Sequence, residues 1–169
     1  MKPLPILAVM ILSLLGLQSS AEPLAVGAAA PALVATSDSG TALDLGALYK
    51  QGLVLVYFYP KADTPGCTAQ GCSLRDSYAE LVAKGVSVVG VSTDAVAAQK
   101  AFRAKFQLPF PLIADTDKKV TAAFGVPTTL GFAARQAFLI KEGKVIWRDL
   151  KASTKEQAAD VLAVLHTLK

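Results

Sequence analysis

The 169-residue sequence holds one histidine, two cysteines, two methionines and one tryptophan. So small a stock of nitrogen and sulfur ligands leaves little from which to build a four-ligand zinc site. It also excludes a disulfide-rich scaffold. Both methionines, Met1 and Met10, lie far from the cysteines, which argues against a copper or haem module with Met ligands. No block of five like charges occurs, and the net charge of +4 is scattered, a balance that does not suit a dedicated nucleic-acid binder. No Walker or dinucleotide glycine pattern is present, so nucleotide binding has no support. What the chain does have is apolar bulk: 53% of residues are hydrophobic and 18% charged, enough to bury the core of one domain. There is no internal repeat, low-complexity tract or linker.

The N-terminus has its own pattern. Lys2 precedes an apolar stretch from Leu4 to Leu17, and Ser19 and Ala21 are small residues spaced one apart. A positive start, a short apolar run and a small-x-small exit describe a secretory signal peptide, so residues 1–21 are read as a signal and residues 22–169 as the folded domain. The apolar part falls short of the ~20 residues a membrane span needs. A bacterial periplasmic address follows as an expectation.

In the remainder, residues 33–35 and 41–45 flank Asp38-Ser39-Gly40 and predict a hairpin. The unbroken run Leu53-Val54-Leu55-Val56-Tyr57-Phe58-Tyr59 predicts a strand buried on both faces. Helical spacing predicts one helix over 66–84, stopped by Gly85. A buried strand is expected over 86–91, a helix over 96–106, a strand over 109–114 and a short helix over 119–124. A hairpin of 136–140 with 144–149 and a closing helix over 153–168 complete a single α/β sandwich.

The chemistry concentrates in Tyr57-Phe58-Tyr59-Pro60-Lys61-Ala62-Asp63-Thr64-Pro65-Gly66-Cys67-Thr68-Ala69-Gln70-Gly71-Cys72. A buried strand ends, a Pro-bounded loop follows, and Cys67 stands where a helix begins. Unpaired backbone N–H groups and the helix dipole favour a thiolate there. Read bare, the two cysteines could also form a structural disulfide, but a five-residue loop restrains the unfolded chain little. A disulfide oxidoreductase would want C-x-x-C, whereas the spacing here is C-x4-C. His166, in the closing helix, reads as a solvated position rather than a hydrolase partner for Cys67. Arg75 reads as the partner of a nearby carboxylate.

Pro60-x-x-x-Thr64-x-x-Cys67 resembles the active-site motif of peroxiredoxins. The second cysteine five residues on is similar to the bacterioferritin comigratory protein (PrxQ) subfamily. The likeness runs from about Val26 to the end, through Gly90-Val91-Ser92-Thr93-Asp94, Leu108-Pro109-Phe110-Pro111 and Arg135. It implies a thioredoxin-like fold, with a central mixed β-sheet flanked by helices, in an AhpC/TSA-type domain. It further implies reduction of hydrogen peroxide and organic hydroperoxides without metal, flavin or other cofactor.

By the same resemblance Cys67 is the peroxidatic nucleophile, becoming a sulfenic acid, and Cys72 is the resolving thiol that closes a disulfide with it. Thr64 would hydrogen-bond peroxide and thiolate, Pro60 would shield the site, and Arg135 would hold the thiolate and the developing charge. A thioredoxin-like protein would return the electrons. A monomer is expected, with no nucleic acid, and no membrane once the signal is cleaved. Two departures stand out. Gln70-Gly71 replaces the usual Glu-Ala before the second cysteine, and Ala98-Gln99 replaces a common Ser-His pair.

Overall fold

The computed structural model describes residues 22–168, so the signal assignment lies outside the described residues. Among the described residues no helix is long and apolar enough to cross a membrane. The centre is a five-stranded sheet of β3 (Leu53–Phe58), β4 (Val86–Ser92), β5 (Leu112–Ala114), β8 (Gln136–Lys141) and β9 (Lys144–Asp149), in the order β5-β4-β3-β8-β9. β3, β4 and β5 run parallel, while β8 pairs antiparallel with β3 and β9 with β8. The expected mixed sheet is therefore present.

Alternation along β3 explains why its sequence is apolar throughout. Val54, Val56 and Phe58 face one core with Val89, Phe124, Phe138, Leu45 and Tyr49. Leu55, Tyr57 and Tyr59 face the other, with Leu74, Leu81, Phe102, Phe110 and Val161. A strand covered by helices on both faces has no polar side to show. Opposite Tyr57 in the register stands Gly90, where a Cβ would meet the Tyr57 hydroxyl at 2.8 Å and Leu112 at 2.7 Å. Glycine there makes room for the tyrosine ring.

The helices depart from expectation in instructive ways. The single helix over 66–84 is two, α2 (Pro65–Asp76) and α3 (Tyr78–Ala83), with Ser77 at φ −100°, ψ 8° between them. The bend lets Leu74 and Leu81 both reach the same core, and serine is a weak helix former. α4 (Val96–Lys105) and α5 (Lys119–Ala123) fall as expected. α6 (Gln157–Thr167) starts four residues later than expected, because Ser153 Oγ accepts from the amides of Lys155 and Glu156 and makes a turn instead. α1 (Leu45–Tyr49) was not anticipated: it is too short for periodicity, and is capped by Asp44, which accepts from the Ala47 amide at 3.0 Å. The small hairpin β6 (Thr128–Thr129) and β7 (Phe132–Ala133) was likewise missed. The first hairpin is present as β1 (Val34–Thr36) and β2 (Ala42–Asp44). β5 begins at Leu112 rather than 109, since Pro109 and Pro111 have no amide to give a ladder.

Both sheet edges are occupied by the N-terminal segment. Along β9, Ala29 bridges Lys144, Gly27 donates to the Val145 carbonyl, and Arg148 donates to the carbonyls of Pro23 and Leu24. Along β5, the Asp38 amide donates to the Leu112 carbonyl and the Asp38 carboxylate accepts from the Leu112 amide at 3.0 Å. Arg103 completes the buried Asp38 from α4, at 3.1 Å.

A buried polar network ties the ends of β3 and β4 to α4. Gln99 accepts from the Tyr59 hydroxyl and donates to Ser92 Oγ at 2.9 Å and to the Ile113 carbonyl at 2.8 Å. Ser92 Oγ donates to Asp94 Oδ2, which also accepts from the Ala62 amide at 2.8 Å. Gln99 is fully buried. Substituting Gln99→Leu removes the Tyr59 hydroxyl's acceptor and one donor each from Ser92 Oγ and the Ile113 carbonyl, so a loss of about 1–3 kcal/mol is expected. Denaturant melting reads it directly, and an unchanged midpoint would contradict the network's role.

Candidate active site

β3 delivers the chain to Pro60, and the loop that follows is held by Asp94 through the Ala62 amide. Asp63 takes a left-handed conformation, φ 57°, and turns the chain into α2. Its exposed pairing with Lys105, 2.8 Å, contributes little. Thr64 is the N-cap of α2 and Pro65 its first residue, where the missing amide costs nothing. Cys67 is therefore the third residue of the helix. Amides in this first turn have no intrahelical acceptor, and no acidic side chain occupies the turn to compete for the dipole.

Cys67 is 1% exposed and carries a free thiol. Arg135, just ahead of β8, places Nη2 3.4 Å from Cys67 Sγ. Its Nη1 donates to Gln70 Oε1, and Gln70 is fully buried on the same helix. Among the described residues Arg135 joins none of the ion pairs. Its charge is thus shared with a thiol and a neutral amide, not spent on a carboxylate. Gly66 lies against the guanidinium: a Cβ there would stand 3.2 Å from Arg135 Nη2.

The Thr64 hydroxyl donates to the Lys61 carbonyl at 2.9 Å, so its oxygen keeps its lone pairs for an incoming O–H. Pro60 sits half-buried at the end of β3. Beneath the site, Tyr57 is fully buried, and its hydroxyl has no protein partner among the described residues. Burial pushes its phenol well above the ordinary value, with Tyr59, Cys67 and Cys72 adding in the same direction and Arg135 opposing. Tyr57 therefore stays neutral and is no base. Arg75 pairs with Asp76 at 2.8 Å and donates to the Phe106 carbonyl, as its place one turn beyond Cys72 suggested. His166 is exposed on α6.

Of the five residues singled out from the sequence, Cys67 and Arg135 meet in the first turn of α2, Thr64 is that helix's N-cap, and Pro60 opens the loop that leads to it. Cys72 does not meet Cys67. Both lie in α2, both are free thiols, and five helical residues separate their Cα atoms by roughly 8–9 Å. A disulfide tolerates only about 7 Å. Closing one therefore requires α2 to unwind between them, with Gly71 the weakest helix former in that stretch. Amide exchange over residues 66–76 is expected to speed up markedly on oxidation, and equal protection in both redox states would refute the unwinding.

In the sequence Gln70 and Gln99 stand out only as departures from the family pattern, with no partner named for either. Gln70, three residues after Cys67, shares its helix face, a spacing that fits its contact with the site. Gln157 carries no local signal.

A thioredoxin-like sheet with a cysteine in the first turn of the helix after its central strand, faced by an arginine just ahead of the neighbouring antiparallel strand, defines the peroxiredoxin type of fold. Similarity to known proteins agrees. The AhpC/TSA family profile matches residues 26–148, and the chain belongs to that family. It is 39% identical over 122 residues to a chloroplastic peroxiredoxin Q of Oryza sativa subsp. japonica, covering 71% of this chain and 56% of that protein's length. The structure of peroxidoxin BcpB from Mycobacterium tuberculosis superposes with a TM-score of 0.80 at 33% identity, covering 85% of this chain and 97% of that one. The Xanthomonas campestris bacterioferritin comigratory protein gives a TM-score of 0.77 at 32% identity, covering 85% and 96% respectively.

Proposed function

We propose that the protein is a thiol-dependent peroxidase of the two-cysteine, intramolecular-disulfide kind. The observation that carries the reading is Arg135 at 3.4 Å from a nearly buried Cys67 in the first turn of α2. Cys67 thiolate attacks one oxygen of a peroxide, the O–O bond breaks, and water or an alcohol leaves with a proton. Arg135 and the helix amides stabilise the sulfur before attack and the leaving oxygen during it. Thr64 accepts from the peroxide O–H. Cys72 thiol then displaces water from the Cys67 sulfenic acid, forming the disulfide. Two electrons from an external dithiol, of the thioredoxin-like kind, restore both thiols.

Hydrogen peroxide and organic hydroperoxides are the proposed substrates; the Xanthomonas relative is a protein with alkyl peroxide reduction activity. Export to a bacterial periplasm is proposed from the pattern of residues 1–21. An envelope carrier would then supply the electrons, and an intramolecular disulfide leaves a monomer sufficient. The competing reading, an envelope thiol–disulfide oxidoreductase, is weakened by the C-x4-C spacing. Pre-reduced protein mixed with one equivalent of hydrogen peroxide, or with a protein disulfide, separates the two. Rapid loss of both thiols to peroxide is expected. Loss no faster than free cysteine, with rapid exchange against the disulfide, would transfer the protein to the second class.

A further inference from the structure

We propose that Gln70 and Gln157 form a positioning relay that holds Arg135 on Cys67, and that the relay exists only while α2 is helical. It rests on the reading of Cys67 as the attacking thiol, but its primary readout does not require peroxide.

The direction of the relay is fixed by chemistry. A guanidinium can only donate. Arg135 Nη1 therefore requires an acceptor, so Gln70 must present Oε1 to it and turn Nε2 away. Gln70 Nε2 donates in turn to Gln157 Oε1 at 2.9 Å. Gln157 must then expose Nε2 on its far side, and that nitrogen is buried with no protein partner among the described residues. Both glutamines are 0% exposed. A buried amide with one unmatched end is destabilising on its own account. Its oxygen makes the one bond the site uses.

The relay also crosses between elements. Gln157 is the first residue of α6, and its neighbour Ala158 donates its amide to Ser73 Oγ of α2 at 3.2 Å. The start of α6 is thus fastened to α2 at two points, both within two turns of Cys67. Forming the Cys67–Cys72 disulfide requires that stretch of α2 to unwind, which moves Gln70 off both partners. Arg135 then loses Gln70 and Cys67 in the same event. The charge that favours the thiolate is accordingly in place for attack and released on resolution. Because the middle member is a neutral glutamine, the relay orients Arg135 without cancelling its charge.

Three variants test this, each read by thiolate ultraviolet absorbance at neutral pH and by thermal melting, with first-step peroxide kinetics in the Cys72→Ser background. Gln157→Met keeps length and apolar bulk but removes the acceptor. A lower thiolate fraction and a first step roughly tenfold slower are expected, short of the ~10²-fold that an ångström of misplacement can cost. Gln157→Glu restores an acceptor and forfeits no donated bond, since Nε2 had none, but its carboxylate also opposes a nearby thiolate, so it should recover only part of the lost thiolate. Gln70→Glu keeps an acceptor for Arg135 and lets Gln157 turn its idle Nε2 inward. It should melt no lower than wild type yet hold less thiolate, because the carboxylate takes up the arginine charge and opposes a second negative charge. A purely structural contact would not lower thiolate while preserving stability. Unchanged thiolate in folded Gln157→Met, or in Gln70→Glu, overturns the relay. If wild-type protein consumes no peroxide, the absorbance still reports on the relay, so the two failures are told apart.

Discussion

Cys67→Ser is expected to abolish reaction with peroxide altogether, while Cys72→Ser consumes one equivalent and stops. The asymmetry follows from where α2 puts the two residues. Cys67 occupies the first turn, with free amides behind it and Arg135 at 3.4 Å; Cys72 lies more than a turn further on, where the helix amides are already paired. A serine hydroxyl at 67 is far weaker as a nucleophile at neutral pH than a thiolate in the same place. Stopped-flow thiol counting after one equivalent of hydrogen peroxide checks both. Wild type should lose two thiols, Cys72→Ser one, and Cys67→Ser almost none over the same interval. Comparable loss in Cys67→Ser would mean that Cys72 reacts by itself, and the assignment of roles would be reversed.

The second large effect is expected at Arg135. Replacing it by Met keeps an unbranched chain at this half-buried position but removes the cation at Cys67 Sγ. Losing a preorganised donor from a developing charge costs ~10²–10³-fold in rate. Gln70 Oε1 also loses its donor, so some stability should fall with it. Arg135→Lys should recover little, because one ammonium cannot serve both Sγ and Gln70 in the fork geometry of a guanidinium. The test is the second-order rate constant for peroxide-dependent thiol loss in Arg135→Met beside wild type. A drop below about fivefold would place the stabilisation in the α2 amides alone, short of what a lost charge-assisted donor costs.

Much of this site was legible in advance, and the reason is local. Pro60, Thr64, Cys67 and Cys72 fall within thirteen residues, and a strand–loop–helix reading puts them at one helix start. Arg135 could be named only through the family likeness, since an arginine ahead of a strand is otherwise an ordinary surface residue. Gln157 could not be named at all. It lies ninety residues from Cys67, and only the packing of α6 on α2 brings it to Gln70. The same division holds for the fold. β3 and β4 announced themselves because helices cover both their faces, whereas α1 and the β6–β7 hairpin are too short to show a period. The break at Ser77 was invisible because apolar spacing continues across it; only the shared demand of Leu74 and Leu81 for one core bends the chain.

The N-terminal segment that closes both sheet edges has a consequence in time. Residues 23–38 find their partners at Leu112 and at residues 144–148, all made much later in synthesis. Contacts of such long sequence separation are slow to form and cannot form on a partial chain. β1 can pair with β2 early, but residues 27–30 have no β9 to bind until the last hairpin exists. The chain therefore stays unfinished until nearly all of it is present. Once it is finished, β5 and the start of β9 offer no free ladder to a neighbouring molecule.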